Sequence, residues 1–300
     1  MENTVTLTSL GTRICCHVVA ILDLLLEPYF LYLVIRCSSP SMSIYRWFLI
    51  GISLCNMSFT LIFGILWSIE GTLRGLELCL PSTYFPNEFV AVFLASANVF
   101  LFGQLQLLLA MLFYATASVV WPYYIQKMRQ WKTLFFFLIF TVAPSILFLP
   151  NEMLLLKNHI CLDLTPRLSL FTVLFTISAF LTAYTFAAVF MLCKIGHFLR
   201  GPTSATSSHT MKLVKTVRRN FVSLMFVIIA LDVVPLSIVV ATFAVFSSVQ
   251  SNSAAVSILY TVVSTSVSGS SFVSTAVTIY VTKPFSRKTV QIIRTVQSMP

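Results

Sequence analysis

Seven long apolar runs, separated by short polar gaps, organise this chain. They cover Ile14–Ile35, Phe48–Ile69, Phe89–Val119, Leu134–Leu149, Leu168–Cys193, Phe221–Phe246 and Val256–Val281. A helix that crosses a bilayer needs about 20 mostly apolar residues at a rise of about 1.5 Å each. Every run but the fourth exceeds that length, and the fourth has the least defined ends. In lipid a segment must satisfy its own backbone hydrogen bonds, so each run is expected to be a helix. The pattern predicts an all-α integral membrane protein. Residues 1–300 form a single seven-helix membrane domain, with residues 282–300 as a cytoplasmic tail.

The gaps carry a second signal. Alternate gaps and the tail hold Arg36, Arg46, Lys127, Arg129, Lys132, Lys194, Arg200, Lys212, Lys215, Arg218, Arg219, Lys283, Arg287, Lys288 and Arg294, with no Asp or Glu among them. The opposite gaps hold Glu2, Glu70, Glu77, Glu88, Glu152 and Asp163, with Arg13, Arg74, Lys157 and Arg167. Cytoplasmic loops keep Lys and Arg because translocating them is unfavourable. The expected topology therefore has the N-terminus outside and the C-terminus inside.

Composition agrees with this reading and narrows it. Charged residues make up 9% and hydrophobic residues 58%, whereas soluble domains carry roughly 25% charged residues. The net charge of +10 sits beside apolar runs, where topology and anionic lipid account for it without nucleic acid. Residues 1–13 are polar and the first apolar run exceeds a signal-peptide core of roughly 7–15 residues, so it reads as a retained signal anchor. The sequon Asn56-Met57-Ser58 lies inside an apolar run, out of reach of glycosylation.

Polar residues within the runs are the candidate chemistry. Asp23 and Glu27 are four residues apart and share one helix face, with Pro28 following as a kink candidate. An acid at membrane depth faces the bundle interior, as a ligand or ion contact or as a neutral carboxyl bonded to its neighbours. The sixth run repeats the pairing in Asp232-Val-Val-Pro235, with Pro235 a second kink candidate. Asn98, Gln104 and Gln106 punctuate the third run, as ligand contacts or as interhelical hydrogen bonds. Between Ser253 and Thr278 the seventh run holds twelve Ser or Thr residues, and close helix packing is the better reading of that stripe.

Cys79 and Cys161 both fall in outer gaps, where disulfides persist, so they are a disulfide candidate; two free thiols are the alternative. Cys37 and Cys193 sit at the inner boundary, where palmitoylation is an option on position alone. Neither a metal site nor a cofactor is expected, because His and Cys are scattered. H-E-x-x-H, G-x-S-x-G and phosphate-loop motifs are absent, so an enzyme is not expected.

Seven spans with the N-terminus outside suggest a G-protein-coupled receptor, yet the marks of the rhodopsin-like class are missing. Three segments instead resemble the nematode serpentine chemoreceptors, class H and its relatives. The first is Pro28-Tyr29-Phe30-Leu31-Tyr32-Leu33-Val34-Ile35 with Ser39-Pro40-Ser41-Met42 and Tyr45-Arg46-Trp47-Phe48-Leu49. The second is Phe148-Leu149-Pro150-Asn151-Glu152 with Cys161 and Pro166. The third is Lys283-Pro284-Phe285-Ser286-Arg287-Lys288. The resemblance implies a plasma or ciliary membrane of sensory neurons and a small odorant or pheromone-like ligand. It also implies signalling through a heterotrimeric G protein. Lys212, Lys215, Arg218, Arg219, Lys283, Arg287 and Lys288 are the candidates for the surface facing that partner. Orientation and attraction to the lipid bilayer explain the same charges without a partner. A transporter or ligand-gated channel is the alternative function.

Overall fold

A computed structural model describes residues 4–6, 10–38, 43–67, 71–74, 77–82, 84–121, 139, 142–147, 150, 156–157, 161–163, 168–200, 208–235, 237–238 and 253–297. Helices dominate. The first, α1 (Leu10–Cys37), is 28 residues long, about 42 Å at the usual rise, and so exceeds a hydrocarbon core of about 30 Å. The second, α2 (Ser43–Thr60), continues through a wider π-turn over Leu61–Trp67. A 3-10 turn at Asn87–Phe89 leads into α3 (Val90–Val120). After these come α4 (Leu168–Arg200), α5 (Ser208–Ile228) with a π-turn over Ile229–Val233, α6 (Ser253–Val281) and α7 (Lys283–Gln297).

Five of these helical stretches are long and apolar enough to cross a membrane: Leu10–Cys37, Ile44–Trp67, Asn87–Val120, Leu170–Arg200 and Ser257–Val281. Of the fourth apolar run only 139 and 142–147 are described, and both are helical; the rest lies outside the described residues. The first part of the sixth run is α5 with its π-turn, and residues 239–252 also lie outside.

Among the described helices, neighbours pack in chain order and the ring closes where α6 meets α1. Helix α3 is the central post, packing against α2, α4 and α5. Its Leu108, Met111, Leu112 and Ala115 are fully buried and face Leu49, Ile195, Val217 and Phe221 in one continuous core. Leu25, Phe175, Phe186 and Phe226 are exposed instead. Apolar surface of that kind suits lipid, which provides no aqueous penalty.

The all-α expectation needs one amendment. Five short strands form an antiparallel sheet at the end of the bundle where α1 begins and α2 ends. The strands are β1 (Thr4–Thr6), β2 (Thr72–Arg74), β3 (Glu77–Cys79), β4 (Leu156–Lys157) and β5 (Cys161–Asp163), ordered β1-β2-β3-β5-β4. Two or three residues are too few to display the alternation by which strands are recognised in sequence. The sheet gathers three of the acid-bearing gaps at one end.

The opposite end is closed by α7. Its start is fixed at Thr282, whose carbonyl accepts from the N–H groups of Phe285 and Ser286 at 2.9 and 3.1 Å. Pro284 falls in the first turn, where its missing N–H has no helical acceptor to lose. Phe285 is buried and meets Phe30 of α1 edge-on at 6.0 Å, while the Tyr29 hydroxyl donates to Thr289 at 2.9 Å. Most of the expected tail is therefore a helix pinned to the bundle.

Candidate functional site

Between α1, α2 and α6 lies a buried polar cluster built on the two acids of α1. One helical turn separates Asp23 from Glu27, a rise of about 6 Å, and both are 0% exposed. Ser53, Asn56 and Thr60 of α2 follow the same three-and-four spacing, so they form one face. Helices α1 and α2 run antiparallel, which sets Ser53 and Asn56 against Glu27 and Thr60 against Asp23.

The contacts follow that order. Glu27 accepts from the Ser53 hydroxyl on Oε2. Its Oε1 accepts from Asn56 Nδ2 at 3.0 Å and from the Thr275 hydroxyl of α6 at 2.5 Å. Asn56 Nδ2 also lies 3.3 Å from Thr275 Oγ1. Asp23 Oδ2 accepts from the Thr60 hydroxyl at 2.5 Å. Two acceptors in the cluster, Asp23 Oδ1 and Asn56 Oδ1, have no hydrogen-bond partner among the described residues.

Close approach of α1 and α2 makes this cluster compact. Gly64 lies in the π-turn of α2, and a Cβ there would sit 2.7 Å from the Cβ of Ala20. Small residues at such crossings let helix backbones come together in membranes. Pro28 is exposed on the far face, and α1 remains one helix across it.

Asp232 is not part of this cluster. It is half-buried in the π-turn of α5, beside Ser270 of α6, and its Oδ1 has no hydrogen-bond partner among the described residues. Pro235 explains the wide turn: it has no N–H for the carbonyl of Leu231, and the N–H of Val234 bonds five residues back to Ile229. Asn98 is half-buried in α3, whereas Gln104 and Gln106 are buried; the hydrogen bonds of Asp23 and Glu27 described above go to other residues.

At the α7 end, Lys212, Lys215, Arg218 and Arg219 are exposed along α5. Lys283 and Arg287 are exposed on α7, and Lys288 is half-buried. Arg219 donates to the carbonyl of Val281, the last residue of α6, which ties this end of α5 to the residue two before Lys283. Next along α5, Asn220 is buried and donates to the Tyr45 hydroxyl of α2 at 3.0 Å. Tyr184 of α4 donates to the Leu105 carbonyl of α3 at 3.0 Å.

At the sheet end, a disulfide joins Cys79 to Cys161 and ties β3 to β5. Glu77 lies close to both sulfurs at metal-ligand spacing, but the disulfide leaves neither thiol available as a ligand. Cys193 is exposed and Cys37 half-buried.

Sequence reasoning missed four members of the acid cluster. Ser53 and Thr60 drew no attention inside their apolar run, and Asn56 registered only as a sequon. Thr275 was one of a stripe of hydroxyl residues with nothing to mark it out. The usable signal was the spacing of Ser53, Asn56 and Thr60, which matches that of Asp23 and Glu27. Comparison of the chain with protein-family models and with curated proteins finds no match.

Proposed function

We propose that this chain is a seven-helix chemosensory receptor of the nematode serpentine type, embedded in the plasma membrane. Its sheet end faces outside and its basic end faces the cytoplasm. A small odorant-like molecule binds from the sheet side, and a heterotrimeric G protein docks at the basic end. The observation that carries this reading is the junction at Arg219. There Arg219 of α5 donates to the carbonyl of Val281, two residues before Lys283 opens α7, and Lys212, Lys215 and Arg218 are exposed on the same helix as Arg219.

The mechanism is a shift between two helix arrangements, and a ligand favours one by its differential affinity. Helix α5 is the element suited to move. Its basic end is held by Asn220 on Tyr45 and by Arg219 on Val281, and its other end carries the π-turn before Pro235. Releasing the two hydrogen bonds while pivoting at the π-turn opens the basic end for a partner.

A ligand screen in cells expressing the chain, read out by second messenger, tests the proposal. The buried acids favour one rival, an ion-coupled transporter or channel, since such residues mark ion pathways. A ligand-evoked current that persists without G proteins decides for that rival.

A further inference from the structure

We infer that the Asp23–Glu27 cluster is a binding site for a small, hard monovalent cation of the sodium type. The inference is independent of the receptor reading. It starts from charge. Two carboxyls, both fully buried, are met only by hydroxyl and amide groups; among the described residues no Lys, Arg or His contacts either one. Buried charges are ordinarily paired or bound to a cation.

Geometry gives the second, independent line. Asn56 is 1% exposed and its amide is held in the cluster by Nδ2, which bonds Glu27 and Thr275. Its carbonyl oxygen is left without a hydrogen-bond partner among the described residues, as is Asp23 Oδ1. Turning the amide over would set an oxygen against the Glu27 carboxylate, so the donor side is fixed where it is. A buried acceptor without a donor is unfavourable, and here an amide and a carboxylate leave one each. A cation held by the two oxygens would answer both.

The donor set defines the class of ion. Carboxylate, amide and hydroxyl oxygens, with no nitrogen or sulfur, select hard cations. Calcium takes roughly 6–8 oxygen ligands, often with bidentate carboxylates. Here Glu27 already accepts three hydrogen bonds, so Asp23 Oδ1 and Asn56 Oδ1 are the oxygens with full capacity left. So few free ligands suit a monovalent ion that keeps some of its water. Occupancy would bind α1 to α2, because Asp23 and Asn56 come from those two helices, and Asn56 lies in turn against Thr275 of α6.

The test uses the full chain purified in detergent. Thermal unfolding is followed in sodium, potassium or choline chloride at matched ionic strength, and with added calcium, for the parent and for Asp23→Asn. The parent's midpoint should rise with sodium concentration, as linkage requires of a ligand that binds only the folded state. It should not rise with choline, and Asp23→Asn should lose the dependence. Equilibrium binding of radioactive sodium to the parent gives a second reading that needs no variant to fold. Equal midpoints in sodium and choline with no sodium bound would overturn the inference and leave the pair as protonated carboxyls. A sodium response undiminished in Asp23→Asn, or a response to calcium alone, would overturn it too.

Discussion

Asn220 donates a hydrogen bond to the hydroxyl of Tyr45 at 3.0 Å, across 175 residues of sequence, and both side chains are buried. This contact fastens the basic end of α5 to α2. Replacing Tyr45 with Phe keeps the ring but leaves the Asn220 amide without its acceptor, at a cost of about 1–3 kcal/mol. The unfolding midpoint of Tyr45→Phe should fall. In cells, its second-messenger level without ligand should rise above that of the parent at equal surface expression. An unchanged basal level would remove this contact from the proposed switch.

The Cys79–Cys161 disulfide spans 82 residues and fixes the centre of the sheet. Closing a loop of that length contributes about 4–5 kcal/mol in the chain-entropy account. Cys79→Ser and Cys161→Ser should each lower surface expression to a similar degree, and the double variant should be no worse than either. Mass spectrometry of unreduced peptides checks the bond itself.

Gly64 and Ala20 predict a compensating pair. A Cβ at position 64 would meet that of Ala20 at 2.7 Å, so Gly64→Ala must push α1 and α2 apart, at about 1–3 kcal/mol. Adding Ala20→Gly should restore part of the lost stability, because it removes the atom that is struck. Unfolding midpoints of the two single variants and the double variant measure the coupling.

Asp232 lies where the π-turn of α5 faces α6, with one carboxylate oxygen unbonded among the described residues. Asp232→Asn preserves size and removes ionisation. Surface expression should be retained and the ligand response reduced. An equal response at equal surface level would assign the carboxyl a purely structural role.

Orientation can be checked apart from ligand. An epitope tag placed before Arg13 should be reachable on intact cells, and one appended after Gln297 should need permeabilisation. The reverse pattern would overturn the proposed topology and the cytoplasmic assignment of the basic surface.

Hydropathy alone located five helices long and apolar enough to cross a membrane, because lipid leaves a chain no other way to satisfy its backbone, and α1, α4 and α6 cover their apolar runs. The sorting of charge likewise anticipated which gaps lie together, and strands from three acid-bearing gaps meet in the sheet. Spacing placed Asp23 and Glu27 on one face, but no local pattern could say which helix that face meets. Only packing brought Ser53, Asn56 and Thr60 from α2 and Thr275 from α6 onto the two acids. The sheet was illegible because its strands are too short to repeat, and it depends on partners as far apart as Glu77 and Asp163. Helix α7 was hidden for a related reason: its basic sequence reads as a tail until Phe285 finds Phe30 and Tyr29 finds Thr289. A bilayer acts on each segment separately, so its demands are written along the chain. Contacts between segments are decided only when the helices pack.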